Sequence, residues 1–199
     1  MKIAVLIEGE TEQAFKQAIV RFLKIRLASN MPKLKFYPYK GQIPKDKKLK
    51  RVVNNFLRTH NAVIVLTDVY TGSRDFMNAK DAKRKMKEWV GETDNFFPHV
   101  GCHDFEAWLI SYWDDIQKIA GHNKSKPGNN PEKINHQKPP AYHIKEIFEL
   151  GRCRDGYKKP RDGMRILRNK DLIISANECP ELKAFLNTIL KLSKGQLIP

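Results

Sequence analysis

The chain has 199 residues, of which 41% are hydrophobic, so it can bury the core of one domain. Lysine and arginine number 37 against 22 acidic residues, which gives a formal net charge of +15. The three cysteines lie far apart and do not suit a disulfide framework. The first residues become acidic too early for a secretory signal, and no apolar run is long enough for a membrane span. We therefore expect a cytoplasmic protein with no membrane contact, whose partner is a polyanion such as nucleic acid.

Apolar runs and amphipathic stretches alternate in the first part of the chain. Residues 2–7 and 63–67 are continuous apolar runs, which are typical of strands buried on both faces. Residues 34–39 and 95–102 are further strand candidates, and Pro38 predicts a short or edge strand. Helices are expected after these strands from Thr11, across 49–57, over 78–90 and from Phe105.

Four repeats of strand followed by helix predict an α/β fold, a Rossmann-like and mostly parallel sheet with helices on both faces. Residues 1–120 would form this core, and residues 121–199 a basic loop and helical extension packed on it. In the extension we expect a long loop or clamp over 121–142, a short helix over 143–150, a basic turn region over 151–163 and an amphipathic helix over 179–192.

Acidic residues follow three of the predicted strands. Glu8 comes after the first strand with Glu12 one helical turn later, Asp68 comes after 63–67, and Asp104 and Glu106 come after 95–102. Because the carboxyl ends of parallel strands lie at one edge of the sheet, these acids are expected in one cleft. Carboxylates packed together stay ionised around a cation, and hard oxygen ligands favour Mg²⁺ or Mn²⁺. Beside a basic surface, this arrangement predicts phosphodiester chemistry.

Sequence motifs for other kinds of chemistry are missing from the chain or incomplete. No GxxxxGK[ST], GxGxxG or GxSxG motif is present, which disfavours the corresponding nucleotide-binding loops and hydrolase elbow. His99, Cys102 and His103 are closely spaced in HVGCH, but a zinc site usually needs a second cluster of ligands. Any single acid after a strand can equally be a helix cap or a surface residue.

The order of these motifs resembles the TOPRIM fold, the small α/β domain of topoisomerases, primases and OLD-family nucleases. The strand ending in EGxxE and the later strand ending in Asp68 carry that resemblance. More closely, the chain is similar to a TOPRIM-like bacterial family of unknown function associated with phage-defence and restriction loci. The shared elements are EGETE (8–12), DVY (68–70), HDFEAWL (103–109), PEKIN (131–135), YKK (157–159), Gly163 and CPELKAFL (179–186).

The resemblance implies a divalent-metal-dependent, nuclease-like site. Its metal ligands would be Glu8 and Asp68, completed by Glu12, Glu106 and Asp104, with Lys158 acting at the scissile phosphate. His103, in the HxFE element, is a further site candidate without an assigned role. Tyr70 stands where the second Asp of a DxD pair is expected. Either Glu106 replaces that missing ligand, or the domain binds nucleic acid without cleaving it. A nucleophilic role for Tyr70 is disfavoured, because topoisomerases supply that tyrosine from another domain.

Two stretches of the chain are strongly basic. Residues 33–58 carry nine Lys or Arg against one acid, and residues 152–170 carry eight against two. The candidates for phosphate contact are Lys45, Lys47, Lys48, Lys50, Arg51, Arg154, Lys158, Lys159 and Arg161. Contacts of this kind predict salt-sensitive binding without sequence specificity.

Three functions follow from these patterns. The first is a metal-dependent nuclease that cleaves DNA or RNA, in bacterial anti-phage defence. The second is a catalytically degenerate nucleic-acid-binding or regulatory subunit that acts with a partner ATPase, since the chain has no ATP motif of its own. A weaker third is phosphoryl or nucleotidyl transfer to a small nucleotide.

Overall fold

The structure, a computed structural model, describes residues 1–9, 11–39, 41–69, 75–134 and 137–199, with the backbone alone for residues 11–14. Four strands form one parallel sheet in the order β2-β1-β3-β4. The strands are β1 (Lys2–Ile7), β2 (Lys33–Pro38), β3 (Ala62–Val69) and β4 (Phe96–Cys102). The predicted α/β fold with a parallel sheet is therefore confirmed. Strand β2 lies at an edge, where its terminal Pro38 removes no central hydrogen bond.

Nine α-helices are present in the described part of the chain, and none of them is long and apolar enough to cross a membrane. They are α1 (Thr11–Leu27), α2 (Asp46–Leu57), α3 (Ala79–Val90), α4 (Ala107–Ile110), α5 (Trp113–Ala120), α6 (Pro140–Leu150), α7 (Lys159–Ile166), α8 (Leu172–Glu178) and α9 (Pro180–Leu192). Short 3₁₀ turns occupy Ala28–Asn30 and Pro131–Lys133.

Helices cover both faces of the sheet, because alternate strand residues bury on opposite sides. Ile3 and Ile64 belong to the core shared with α1 and the C-terminal helices. Ala4 and Val63 belong to a second core, shared with α2 and α3. Side chains from both sides of residue 120 meet in the first core, so the C-terminal helices pack on the sheet as expected. The boundary at residue 120 itself stays a prediction.

Helix α7 begins inside the stretch 151–163, for which the sequence predicts a basic turn region, and no element was predicted at α8. Helix α7 begins with Pro160 near its first position and contains Gly163, so its intrinsic helix propensity is low. Tertiary contacts compensate, since Ile166 is fully buried in the core that α1 also lines. The carboxylate of Asp162 accepts the backbone N–H of Lys158, the residue before α7, at 2.8 Å and so fixes the start of the helix.

Hydrogen bonds and an ion pair connect the described residues of the loop at 121–142 to the C-terminal helices. Glu132 accepts hydrogen bonds from Trp108 Nε1 at 3.0 Å and from the backbone N–H groups of Glu181 and Leu182 at the start of α9. Lys126 Nζ lies 2.9 Å from a carboxylate oxygen of Glu178. Burial raises the pKa of Glu132, and the hydrogen bonds oppose that rise. The glutamate of PEKIN therefore caps a helix.

We predict that Glu132→Ala lowers the free energy of unfolding by about 2 kcal/mol, because three donors lose a charged acceptor and the α9 terminus loses its cap. Urea denaturation at neutral pH measures this difference. The matched control is Glu92→Ala, which truncates an exposed glutamate. Equal denaturation midpoints for the two variants would contradict the role assigned to Glu132.

Candidate active site

A cleft of about 320 Å³ opens at the carboxyl ends of the strands. Strand β3 lies between β1 and β4, so the acids that follow these three strands meet at neighbouring positions. The charged and hydroxyl side chains that belong to its lining residues are Glu8, Lys45, Thr67, Asp68, Asp75, Glu106 and Lys159. The structure thus brings together three of the acids that the sequence predicts at this edge.

Glu8 is held at the β1 end of the cleft by three donors. Its carboxylate accepts the hydroxyl of Thr67 and the backbone N–H groups of Asp68 and Ile43. Burial raises the pKa of Glu8, and these hydrogen bonds together with the charge of Lys45 offset part of that rise. Lys45 in turn pairs with Asp75, with Nζ 2.7 Å from Oδ2.

Asp68 lies close against the neighbouring strand. It is paired in register with Gly101 of β4, and a Cβ atom at Gly101 would approach Asp68 Oδ1 to 3.0 Å. The absence of a side chain at residue 101 therefore leaves room for this carboxylate. We did not predict a role for Gly101 from the sequence, although a glycine within a strand signals a close approach.

Glu106 forms the third wall of the cleft and is almost fully buried. Lys159 Nζ lies 3.1 Å and 3.2 Å from its two carboxylate oxygens, and the Tyr157 hydroxyl donates to Oε1 at 3.3 Å. Burial acts to lower the pKa of Lys159, but the charges of Glu106, Asp104 and Asp68 raise it above its usual value. The lysine therefore stays protonated beside the acids.

The lysine that reaches the cleft is Lys159, whereas the sequence analysis placed Lys158 at the scissile phosphate. Lys158 is exposed at the residue before α7 and is not among the described residues that line the cleft. Its position is fixed by the bond from its backbone N–H to Asp162. The sequence analysis predicts Lys159 only as a phosphate contact, and the structure shows that it also pairs with Glu106.

Two other predicted site residues lie behind the cleft. Asp104 is buried, and its Oδ2 accepts the backbone N–H of Ala141 at 3.1 Å, in the first turn of α6. Burial and the negative charge of Glu106 raise the pKa of Asp104 to about 7. His103 is buried with a left-handed φ of 68°, its backbone N–H donates to Val69 O at 2.8 Å, and burial lowers its pKa. Neither residue is among the described residues that line the cleft.

Two further predicted positions fall outside what the structure describes. Tyr70 lies outside the described residues, and so does the side chain of Glu12. Their roles stay predictions from the sequence.

The donor set suits one Mg²⁺ or Mn²⁺ ion. Among the residues that the structure describes, no group of three His, Cys, Asp or Glu is placed to hold a metal. Mg²⁺, however, commonly binds proteins through one or two carboxylates and keeps several waters. Glu8 and Asp68, on adjacent strand ends, supply that number of hard oxygen ligands. Glu106 is paired with Lys159 in this arrangement, and its role as a third ligand stays a prediction.

The HVGCH segment is built into the packing of β4. His99 is buried, its Nε2 lies 3.0 Å from Thr188 Oγ1, and burial lowers its pKa to about 3. Burial raises the pKa of Cys102 to about 12, which keeps the thiol protonated.

Lys45 and Lys159 line the cleft, and the other predicted phosphate contacts lie on α2 and around the start of α7. Lys47, Lys50 and Arg51 line an open groove on α2 together with Arg58, and Lys48 is exposed on the same helix. Arg154 is exposed before α7, while Arg161 pairs with Asp162 at 3.0 Å and with Asp155 at 3.1 Å. Arg58 was not singled out from the sequence.

The fold and the cleft together define an α/β protein with a Rossmann-like or TOPRIM-like parallel sheet and an acid-lined cleft at its carboxyl edge. Residues 7–190 match the family described as a domain of unknown function (DUF4276), and the chain belongs to this family. No curated protein matches the chain.

Solved structures of two OLD proteins share the fold. The C-terminal region of the Burkholderia pseudomallei OLD protein superposes with a TM-score of 0.55 at 14% identity, over 96% of this chain and 98% of that one. The C-terminal region of the Xanthomonas campestris pv. campestris OLD protein gives a TM-score of 0.51 at 13% identity, over 96% of each chain. At this identity the likeness establishes the fold, and it confirms the structural part of the predicted resemblance.

We predict that Asp104→Asn reduces the pH dependence of stability. The pKa of Asp104 is about 7 in the folded protein against 3.8 ordinarily, so the folded chain binds this proton more tightly than the unfolded chain. The resulting stability is complete below about pH 4 and is lost as the pH rises through about 7. The variant should match the parent near pH 4 and exceed it by roughly 4 kcal/mol at pH 8.

Urea denaturation from pH 4 to pH 8 in EDTA measures this difference without interference from metal ions. Asp94→Asn, at an exposed aspartate, is the matched control and should follow the parent at every pH. If plots of unfolding free energy against pH for the parent and Asp104→Asn run parallel, the pKa of Asp104 is not raised.

Proposed function

We propose that the protein is a divalent-metal-dependent nuclease that hydrolyses phosphodiester bonds of DNA or RNA, in bacterial anti-phage defence. The observation that carries this proposal is the cleft in which Glu8, Asp68 and the Glu106–Lys159 pair line one cavity at the carboxyl edge. The net charge of +15 supports a polyanionic substrate. The fold shared with the C-terminal regions of OLD proteins supports the nuclease class, and the sequence resemblance supports the defence context.

Substrate would approach the cleft between two lysines. Lys45 lines it together with the β1 end, and Lys159 lines it next to β3 and β4. Both ammonium groups are already oriented by carboxylates, Lys45 by Asp75 and Lys159 by Glu106. Preoriented cations lose little entropy when they bind a phosphate, so they can fix the backbone of a strand across the cleft.

The chemistry divides between a cation site and Lys159. Glu8 and Asp68 would hold Mg²⁺ or Mn²⁺, which when bound supplies Lewis acidity and a water of lowered pKa. Lys159 stays protonated among Glu106, Asp104 and Asp68, and its ammonium stabilises the negative charge that develops on the phosphate. Glu106 and Tyr157 act as positioning residues, because they fix the ammonium group at the cleft.

Asp68→Asn and Glu8→Gln are expected to lower cleavage about 100-fold or more, because each removes one anionic ligand and preserves shape. The assay follows cleavage of plasmid, single-stranded DNA and tRNA with Mg²⁺ or Mn²⁺. Glu92→Gln, at an exposed glutamate, controls for the loss of one negative charge. Cleavage that is unchanged in both cleft variants would exclude the proposed site.

The adjacent lysines offer a second, sharper comparison. Lys159→Met should lower cleavage by about 100-fold, because the ammonium beside Glu106 is lost. Lys158→Met should stay within about threefold of the parent, because its bond to Asp162 is made by the backbone. Circular dichroism of both variants checks that each is folded. The reverse order of effects would return the role to Lys158.

A regulatory, nucleic-acid-binding subunit that acts with a partner ATPase is the second candidate function. It is favoured by the engagement of Glu106 with Lys159 and by the lack of a three-ligand group among the described residues. The purified chain would then bind nucleic acid in a salt-sensitive manner and cleave none of the three substrates. Cleavage by the chain alone would exclude this candidate.

A further inference from the structure

A second cavity, of about 350 Å³, lies between α1 and α7. Four arginines line it, Arg21 from α1 and Arg161, Arg165 and Arg168 from the α7 segment. Met164 and Leu167 are among the apolar residues of the lining. The cavity shares none of its lining residues with the acid-lined cleft.

Contacts within the protein hold three of these arginines in place. Arg21 Nη2 donates to the carbonyl groups of Leu167 at 3.0 Å and Lys170 at 3.1 Å, at the end of α7. The fully buried carboxylate of Asp162 accepts from Arg161 and Arg165 at 3.0 Å. Each arginine carries five donors, and Arg165 uses only Nη1 in this pairing. The cavity therefore presents guanidinium groups whose orientation is set before any ligand binds.

The charge of the cavity favours an anion. The four arginines are opposed by Asp162 and, through Arg161, by Asp155, which leaves two net positive charges. A guanidinium binds phosphate through paired, planar donors. An inorganic anion alone would leave the apolar surface of Met164, whose exposure is 45%, in contact with water. A ligand with both a phosphate and a flat apolar group complements both parts.

We propose that this arginine pocket binds an unpaired nucleotide of the nucleic acid, with the phosphate on the guanidinium groups and the base over Met164. The inference rests on the proposed function, because it takes the substrate class from the cleft. Helix α7 links the two sites, since it begins at Lys159 in the cleft. Arg165 lies six residues further along, about 9 Å at 1.5 Å per residue, which is the length of roughly three stacked nucleotides.

The test measures binding of the full chain in EDTA, so that it does not depend on cleavage. The probes are a fluorescent thymidine oligonucleotide, an abasic strand of equal length and a labelled polyglutamate. Arg168→Glu should weaken binding of both strands by about tenfold. It should also reduce the slope of log affinity against log salt concentration by about one. Lys87→Glu makes the same charge change at an exposed position of α3, on the other side of the sheet, and should alter binding less than about twofold.

The base contact is tested by Met164→Ala, which changes a partly exposed side chain and should not affect folding. It should weaken the thymidine oligonucleotide several-fold and leave the abasic strand unchanged. Equal losses for Arg168→Glu and Lys87→Glu would overturn the pocket. Equal affinities for the thymidine and abasic strands would contradict binding of a base in the pocket. Tighter binding of polyglutamate than of the strands, lost in Arg168→Glu, would also contradict the nucleotide and would assign an acidic protein partner to the pocket.

Failure of the pocket is distinguishable from failure of the proposed nuclease. Pocket-dependent binding without any cleavage would contradict the nuclease proposal and leave the arginine pocket standing. Cleavage that is lost in the Glu8 and Asp68 variants, together with binding that is unchanged in the Arg168 and Met164 variants, would contradict the pocket alone.

Discussion

The ion pair between Glu106 and Lys159 connects the C-terminal extension to the edge of the sheet. Glu106 is almost fully buried, and a buried carboxylate without a partner costs several kcal/mol. Helix α7 places Lys159 beside Glu106, which follows β4, and two other residues of α7 support this placement. Asp162 fixes the start of the helix, and Ile166 anchors its last turn in the core. The extension is consequently part of the site, although it follows the sheet in the chain.

The parts of the fold that the sequence predicted are those governed by local pattern. Continuous apolar runs give buried parallel strands, and the acids that follow them reach one edge because parallel strands point the same way. Helix α7 was not predicted, because Pro160 and Gly163 lower its propensity and its stability comes from contacts with distant α1. Without that helix, the sequence offered no means to decide whether Lys158 or Lys159 faces the acids.

The acids of the shared motifs do not all serve the cleft. Asp104, a predicted metal ligand, accepts a hydrogen bond from the first turn of α6, and Glu132, in the shared PEKIN element, caps α9. An acid after a strand and an acid before a helix look alike in a sequence, because both sit in polar turns. Asp104 and Glu132 differ from Glu106 in their partners, which include the backbone N–H groups of a helix start for the first two and a lysine for Glu106. Those partners are known only once the helices are placed in space.

The charge balance of the cleft limits how a polyanion can enter it. Glu8, Asp68, Asp75 and Glu106 are opposed by Lys45 and Lys159, which leaves two net negative charges when all six groups are ionised. A phosphate would be repelled by this excess, even though the whole chain carries a charge of +15. One divalent cation would cancel it. Under the proposed function, the cation would therefore be needed for the substrate to bind as well as for the reaction. The proposed arginine pocket is already positive and would hold a strand without metal.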